Sequence, residues 1–283
     1  MLNHRIVFAT CDRLPEATPS DQVLQRALEE RGVEVSVLPW SSIASNTLAD
    51  LVLLRSTWDY HKRTQEFRTW LVGLESAGRR VLNPVSTVLW NLDKAYLREL
   101  ATQGIAIPET RFEYHLTPAR LEALMATMGW SHAVVKPRIS ATAYGTFLVR
   151  AGELVDSLAP AWESGALVQA YVKEVTEQGE LSLMFFGGEY SHAVSKKPKP
   201  GDFRVQSDFG GSQELVLPSE AAVQFASRVL DATPYPWTYA RVDIVETAGG
   251  PLLMELELIE PHLFFDVEPR SAGRLADQLA STV

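Results

Sequence analysis

Three carboxylates lie close together near the C-terminus, in the stretch YARVDIVETAGGPLLMELELIE. This stretch reads as a β-hairpin turning at Gly249-Gly250. Alternation along a strand places Glu255 and Glu257 on one face, and Asp243 lies at a mirrored distance from the turn. Val242, Ile244, Leu256 and Leu258 fall on the other face, which is therefore apolar and buried. Carboxylates gathered this way repel one another unless a cation lies between them. Hard oxygen ligands suit Mg²⁺, which takes a few carboxylates together with phosphate oxygens. A solvated acidic face on an exposed hairpin would show the same spacing.

Arg241 precedes Asp243 by two residues and so shares its face. A guanidinium beside such carboxylates either bridges to Glu255 or Glu257, or serves charge that arrives with a substrate. Its planar fork of donors suits a phosphate or a developing oxyanion.

Cations of the same interest lie upstream. Lys136 closes the apolar run AVVK before Pro137, and the loop PRISATAYGT that follows carries Ser140, Thr142, Thr146 and Gly145. Backbone N–H groups of such a loop can wrap phosphate oxygens. A lysine at a strand end can equally snorkel to solvent. Lys94 follows Asp93 at a helix start, and Arg204 lies in the polar loop GDFRVQSDFGGS. The basic run SKKPKP reads as solvated. LVQAYVKEV leads from a strand into an irregular segment with Glu174 and Glu180, either of which could meet ribose hydroxyls.

These groups must be positioned by regular elements. The first ninety residues alternate strand and helix signals: IVFAT, a helix over Asp21 to Arg31 closed by Gly32, VEVSVLP, ADLVLLRS, a helix over Gln65 to Ala77, and RRVLNP. This alternation predicts a parallel sheet with crossover helices. A helix is expected from Leu92 (LDKAYLRELATQ) to Gly104, then Pro118 to Met128, and strands at HAVVKP, Thr146 to Arg150 and Leu167 to Tyr171. A hairpin turning at Gly187-Gly188 and a helix over Ser219 to Asp231 precede the acidic hairpin. The second half is thus richer in antiparallel strands, an α+β pattern. The expected units are residues 1–91, 92–167 and 168–283.

The chain has 283 residues, 46% of them hydrophobic, enough for a sizeable core. The formal charge of −9 disfavours a nucleic-acid partner. The single cysteine, Cys11, ends an apolar run and reads as a strand end. Lack of cysteine pairs fits a reducing cytosol. No apolar run approaches a membrane span or a signal peptide, so a cytoplasmic protein is expected.

The order of these signals carries more than each alone. NLDK, VVKP, LVQAYV, a loop with Arg and Gly-Gly, then RVD and ELE together resemble the ATP-grasp superfamily from Asn91 to Glu260. The resemblance implies an N-terminal parallel α/β domain, a central lid domain and a C-terminal antiparallel-sheet domain, with ATP held between the last two. It implies that Lys94, Lys136 and Ser140 lie on the phosphate side, and that Arg204 joins them. Gln169, Ala170, Tyr171 and Val172 would meet adenine, and Glu180 or Glu174 the ribose. Asp243, Glu255 and Glu257 would hold Mg²⁺, while Arg241 would stabilise the acyl-transfer intermediate. Two departures stand out: Glu257 occupies a position usually held by Asn, and the loop after Lys136 has one glycine rather than several.

GDFRVQSDFGG is similar to a loop of glutathione synthetase and of the ligases that add glutamate to ribosomal protein S6. LLRSTWDYH, LNP and WNLDK look closest to the branch containing the D-cycloserine-forming ligase, which closes a ring from O-ureido-D-serine. The resemblance implies a small amino-acid-like substrate beside Ser56, Trp58, Asp59 and Tyr60, just past a strand end where ligands collect in parallel sheets. It further implies ATP and Mg²⁺ as cofactors and a homodimer. The expected activity is carboxylate activation as an acyl phosphate, followed by attack of a nitrogen nucleophile. A non-catalytic ATP-binding module and a phosphotransferase on the same fold are the competing readings.

Overall fold

The computed structural model describes residues 4–153, 165–199, 204–205 and 210–282. Among them the N-terminal sheet has the order β2-β1-β3-β4, formed by Glu34–Pro39, Arg5–Thr10, Leu51–Ser56 and Val81–Leu82, all parallel. The alternation of β1 and β3 explains its two covered faces. Ile6, Phe8, Leu51 and Leu53 pack toward α1 (Pro19–Glu29) and the C-terminal helix α8 (Arg270–Ala280). Val7, Ala9, Val52 and Leu54 pack toward α2 (Thr64–Ser76) and α3 (Val85–Asn91). Strands buried on both faces read as continuous apolar runs, as β3 does.

Two expectations change in this region. The strand over RRVLNP shortens to Val81–Leu82. The helix expected from Leu92 starts only at Tyr96 (α4, Tyr96–Thr102), and residues 92–95 separate it from α3, a helix not among those expected from the sequence. Asp93 explains the break: its carboxylate accepts from the Ala95 N–H at 2.9 Å and pairs with Arg138, while the Lys94 N–H donates to the Arg138 carbonyl at 2.9 Å. Short acidic side chains compete with the helix for backbone donors.

A second sheet has the order β5-β8-β6-β7 (Thr110–Glu113, Ala166–Ala170, His132–Pro137, Phe147–Arg150) and is covered by α5 (Pro118–Met128). The cut between residues 167 and 168 falls inside β8, whose residues pair with β5 and β6 on either side.

The third sheet has the order β11-β10-β9-β12-β13 (Ser212–Val216, Glu189–Lys197, Glu180–Phe186, Tyr239–Thr247, Gly250–Glu257). A short helix, α6 (Glu174–Glu177), precedes β9, and α7 (Glu220–Asp231) packs with α4 on one face over Leu183, Phe185, Val242, Ile244 and Leu256. The opposite face carries the polar partners of the same alternation, including Glu180, Ser182, Lys196, Arg241 and Asp243. The hairpin β12–β13 turns one residue earlier than expected, since Gly250 already pairs with Thr247. A bulge makes up the difference: Asp243 faces Glu255 and Ile244 faces Leu253, leaving Met254 as the extra residue. Arg241 thereby faces Glu257.

Buried side chains lock the sheets together. Asn83 Nδ2 donates to the Tyr239 and Leu258 carbonyls at 2.9 and 2.8 Å, and its Oδ1 accepts from the Thr238 N–H at 2.6 Å. The Tyr239 hydroxyl reaches the carbonyls of Leu82 and Ile259 at 2.8 and 2.9 Å. Among the described residues no helix is long and apolar enough to cross a membrane.

Candidate active site

The polar face of the third sheet forms one wall of a cleft of about 460 Å³, a size typical of small-molecule sites. The second sheet supplies the facing wall through Val134, Lys136 and the end of β8. The N-terminal sheet closes one end with Thr18, Trp58 and Tyr60.

The expected carboxylates converge: Asp243, Glu255 and Glu257 offer oxygens that all lie within 4.8 Å of one another. Their surroundings differ. Asp243 is 2% exposed and its oxygens are committed. Ser182 Oγ donates to Oδ1 at 2.5 Å, Arg241 Nε at 3.0 Å, and Lys196 Nζ lies 3.2 Å from Oδ2. Burial works to raise the Asp243 carboxyl, but Arg241 and Lys196 outweigh it and hold it at about 2. Glu255 and Glu257 face the cleft. Burial also opposes ionisation of Glu255, yet Lys94 and Lys136 keep it below the usual carboxylate range. Burial raises Glu257 to about 7 against the pull of Arg241, and Glu255 and Asp243 add to the rise.

Arg241 joins both arms of the hairpin. Its Nη2 donates to Asp243 Oδ2 at 3.0 Å and also to Glu257, while Nη1 donates to the His262 carbonyl at 3.2 Å. The bridge to Glu257, one of the two alternatives open from the sequence, is thus present. The guanidinium still lines the cleft.

Lys94 Nζ donates to the Ser140 carbonyl at 2.8 Å and lies 3.2 Å from Glu255 Oε1. Lys136 Nζ donates to the carbonyl of the bulged Met254 at 3.5 Å. Burial lowers the Lys136 ammonium against the opposing pull of Glu255. The loop after Lys136 bends at Thr142 (φ 52°), Ala143 (φ 54°) and Gly145 (φ 67°). It thus uses two non-glycine residues in the left-handed region, a feature concentrated at functional sites. Arg204 lines the cleft, while its loop neighbours at 200–203 and 206–209 lie outside the described residues.

At the β8 end, Gln169 Nε2 donates to Thr110 Oγ1 at 3.0 Å, and the Ala170 N–H donates to the Glu109 carbonyl at 2.8 Å. Ala170, Tyr171 and Val172 line the cleft with Gln169. Glu180 lines it as well, whereas Glu174 begins α6 outside the lining. Burial raises the Glu180 carboxyl even though Lys196 Nζ lies only 2.6 Å away.

Of the four residues expected at the substrate end, Trp58 and Tyr60 line the cleft. Ser56 is fully buried and stands outside the lining. Asp59 turns away, accepting the Trp40 indole N–H at 2.8 Å. Cys11 is buried beyond the end of β1.

Sequence reasoning missed Lys196, which sat in the run read as solvated. It is 4% exposed and bridges Glu180 and Asp243. Counting back from the Gly187-Gly188 turn would set Lys196 opposite Gly179; an irregularity at Ser191 shifts the register by one and brings Lys196 opposite Glu180 across β9–β10. Glu260 and His262 also line the cleft and were not anticipated.

Comparison with known proteins bears on this geometry. The family D-cycloserine synthetase DcsG, N-terminal domain, matches residues 6–83, and the RimK-like ATP-grasp domain matches residues 93–262. The cycloserine biosynthesis protein DcsG of Streptomyces lavendulae is 30% identical over 281 residues, covering 91% of each chain. The crystal structure of D-cycloserine synthetase DcsG superposes with a TM-score of 0.86 at 25% identity, covering 98% of this chain and 99% of that one. The ATP-grasp ligase PsnB complexed with a phosphomimetic variant of its minimal precursor, Mg and ADP has the same fold, with a TM-score of 0.66 at 18% identity over 99% and 98% of the chains. With its three sheets arranged around a cleft of lysines and carboxylates, the chain belongs to the RimK-like ATP-grasp family of ATP-dependent ligases.

Proposed function

We propose that the chain activates the carboxylate of a small amino-acid-like substrate with Mg-ATP and transfers the acyl group to nitrogen, between molecules or by ring closure. The observation that carries this reading is the convergence of Arg241, Glu255 and Glu257 with Lys94 and Lys136 on one cleft.

Adenine lies against Gln169, Ala170, Tyr171 and Val172. The Ala170 N–H is already taken by the Glu109 carbonyl and the Val172 carbonyl by the Val175 N–H, so the backbone of Tyr171 and the Val172 N–H are the groups to meet the base. Glu180 takes the ribose hydroxyls in preference to Glu174, because it faces the cleft. Lys94, Lys136 and Lys196 hold phosphate oxygens, together with Arg204 and the loop around Ser140.

The carboxylates fit a hard divalent ion: Glu255 and Glu257 face the cleft, and Asp243 offers a third oxygen by giving up an existing cation. Such an ion, held by Glu255 and Glu257, would offset negative charge developing on the phosphates. The residues do the rest. The substrate carboxylate oxygen attacks the γ-phosphorus, forming the acyl phosphate as the bond to ADP breaks. The lysines hold the two reactants in line and offset negative charge. Nitrogen then attacks the acyl carbon, Arg241 stabilises the tetrahedral oxyanion, and inorganic phosphate leaves.

The test is phosphate release from Mg-ATP across amino acids and O-ureido-D-serine, with the product mass determined. Release dependent on one carboxylate substrate, with an amide or ring as product, supports the reading. A phosphorylated product would replace it with a phosphotransferase.

A further inference from the structure

We infer that Glu260 is the receptor for the ammonium group of the substrate, which makes a free primary amine a requirement for binding. This assignment rests on the amino-acid ligase reading and adds to it the substrate class.

Glu260 follows β13 by three residues and is 6% exposed, yet it lines the cleft. Among the described residues, no other side chain reaches its carboxylate by hydrogen bond or ion pair; the donor it has is its own backbone N–H. Nearby cations are engaged elsewhere. Arg241 is held by Asp243, Glu257 and the His262 carbonyl. Lys94 is held by Ser140 and Glu255. Arg55 is held by Asp21 at 2.8 Å and by the Pro261 carbonyl at 2.9 Å. A carboxylate this buried and unpaired is costly unless a cation arrives to meet it.

The location favours the substrate as the source of that cation. Glu260 stands at the Trp58 and Tyr60 end, where the Trp58 indole N–H donates to its backbone carbonyl at 3.3 Å. That hydrogen bond fixes the segment relative to the N-terminal sheet, and the Arg55 bond to Pro261 fixes it a second time. Glu260 is also separate from the three carboxylates whose oxygens share one center, so it is not a member of the metal set. Trp58 and Tyr60 supply aromatic surface in the same part of the cleft, which an ammonium tolerates and a second carboxylate does not. An α-amino acid whose carboxylate points toward Arg241 can carry its ammonium to Glu260.

The experiment is calorimetric titration of the ADP- and Mg-saturated protein with O-ureido-D-serine, D-serine, L-serine and L-glutamate, each beside its 2-hydroxy counterpart. Wild type and Glu260→Gln are compared, with Glu260→Asp as a variant that keeps the charge but withdraws it. The wild type is expected to bind at least one amine and to prefer it over the hydroxy acid. Glu260→Gln should weaken that amine about 10- to 100-fold and leave the hydroxy acid and ADP unchanged, with Glu260→Asp intermediate. An amine preference that survives in Glu260→Gln would overturn the assignment, as would failure of every amine to bind wild type. Amine binding that depends on Glu260 without phosphate release would overturn the ligase reading alone.

Discussion

Replacing Arg241 with alanine should separate its structural role from its catalytic one. Arg241 is 8% exposed, and its guanidinium spans Asp243, Glu257 and the His262 carbonyl. Its removal leaves Asp243 with Lys196 and Ser182 but strips Glu257 of its only ion pair among the described residues. Breaking a buried pair from one side costs about 3–5 kcal/mol. At about 2–4 °C per kcal/mol for a chain approaching this size, Tm should fall by roughly 10 °C. Loss of a transition-state donor should separately lower turnover by about 10²–10³. The proposed nucleotide contacts lie on the lysines and β8 rather than on Arg241, so ADP affinity should stay within about twofold. The assay is phosphate release at saturating Mg-ATP, with ADP calorimetry and thermal melts on the same preparations. Adding Glu257→Gln should recover part of the lost stability, because the orphaned carboxyl is gone, without restoring turnover. Unchanged turnover, or equal losses in turnover and ADP affinity, would refute the catalytic assignment.

Glu255→Gln should weaken nucleotide binding only when Mg²⁺ is present, and a metal titration identical to wild type would remove Glu255 from the ligand set. Asn83→Ala leaves the Thr238 N–H and the Tyr239 and Leu258 carbonyls without their buried partner, so denaturant melts should show a loss of about 3 kcal/mol. His192 is 5% exposed, and burial lowers its imidazole from 6.5 to about 4. The unfolded chain therefore binds a proton below pH 6.5 that the folded chain refuses until about pH 4. Stability contributed by the neutral ring is full above pH 6.5 and falls as the pH drops toward 4, by about 3 kcal/mol at about 1.4 kcal/mol per unit. His192→Gln should flatten that part of the stability profile by about one proton, and an unaltered slope would count against the assignment.

Local chemistry determined much of this protein. Alternation in IVFAT and ADLVLLRS predicts the strands, and the glycine pairs locate both hairpins to within a residue. The same alternation puts Arg241, Asp243, Glu255 and Glu257 on one face, because strand neighbours two apart must share a side. Lys94, Lys136 and the end of β8 stand in the order in which the cleft needs them, so the family was legible before the fold. The tertiary structure decided which of these groups face the cleft. Asp243 is consumed by Ser182, Arg241 and Lys196, whereas Glu255 and Glu257 remain accessible. Asp59 is claimed by Trp40, and Asp93 by Arg138, which delays the helix expected from Leu92 until Tyr96. Lys196 changes from a solvated lysine to a buried bridge because β10 lies beside β9, bringing Glu180 to it. Glu260 becomes distinctive only when three sheets meet and every neighbouring cation has found another partner. Spacing along the chain controls which face a side chain takes, but its charge state and availability depend on groups that folding brings in from distant positions.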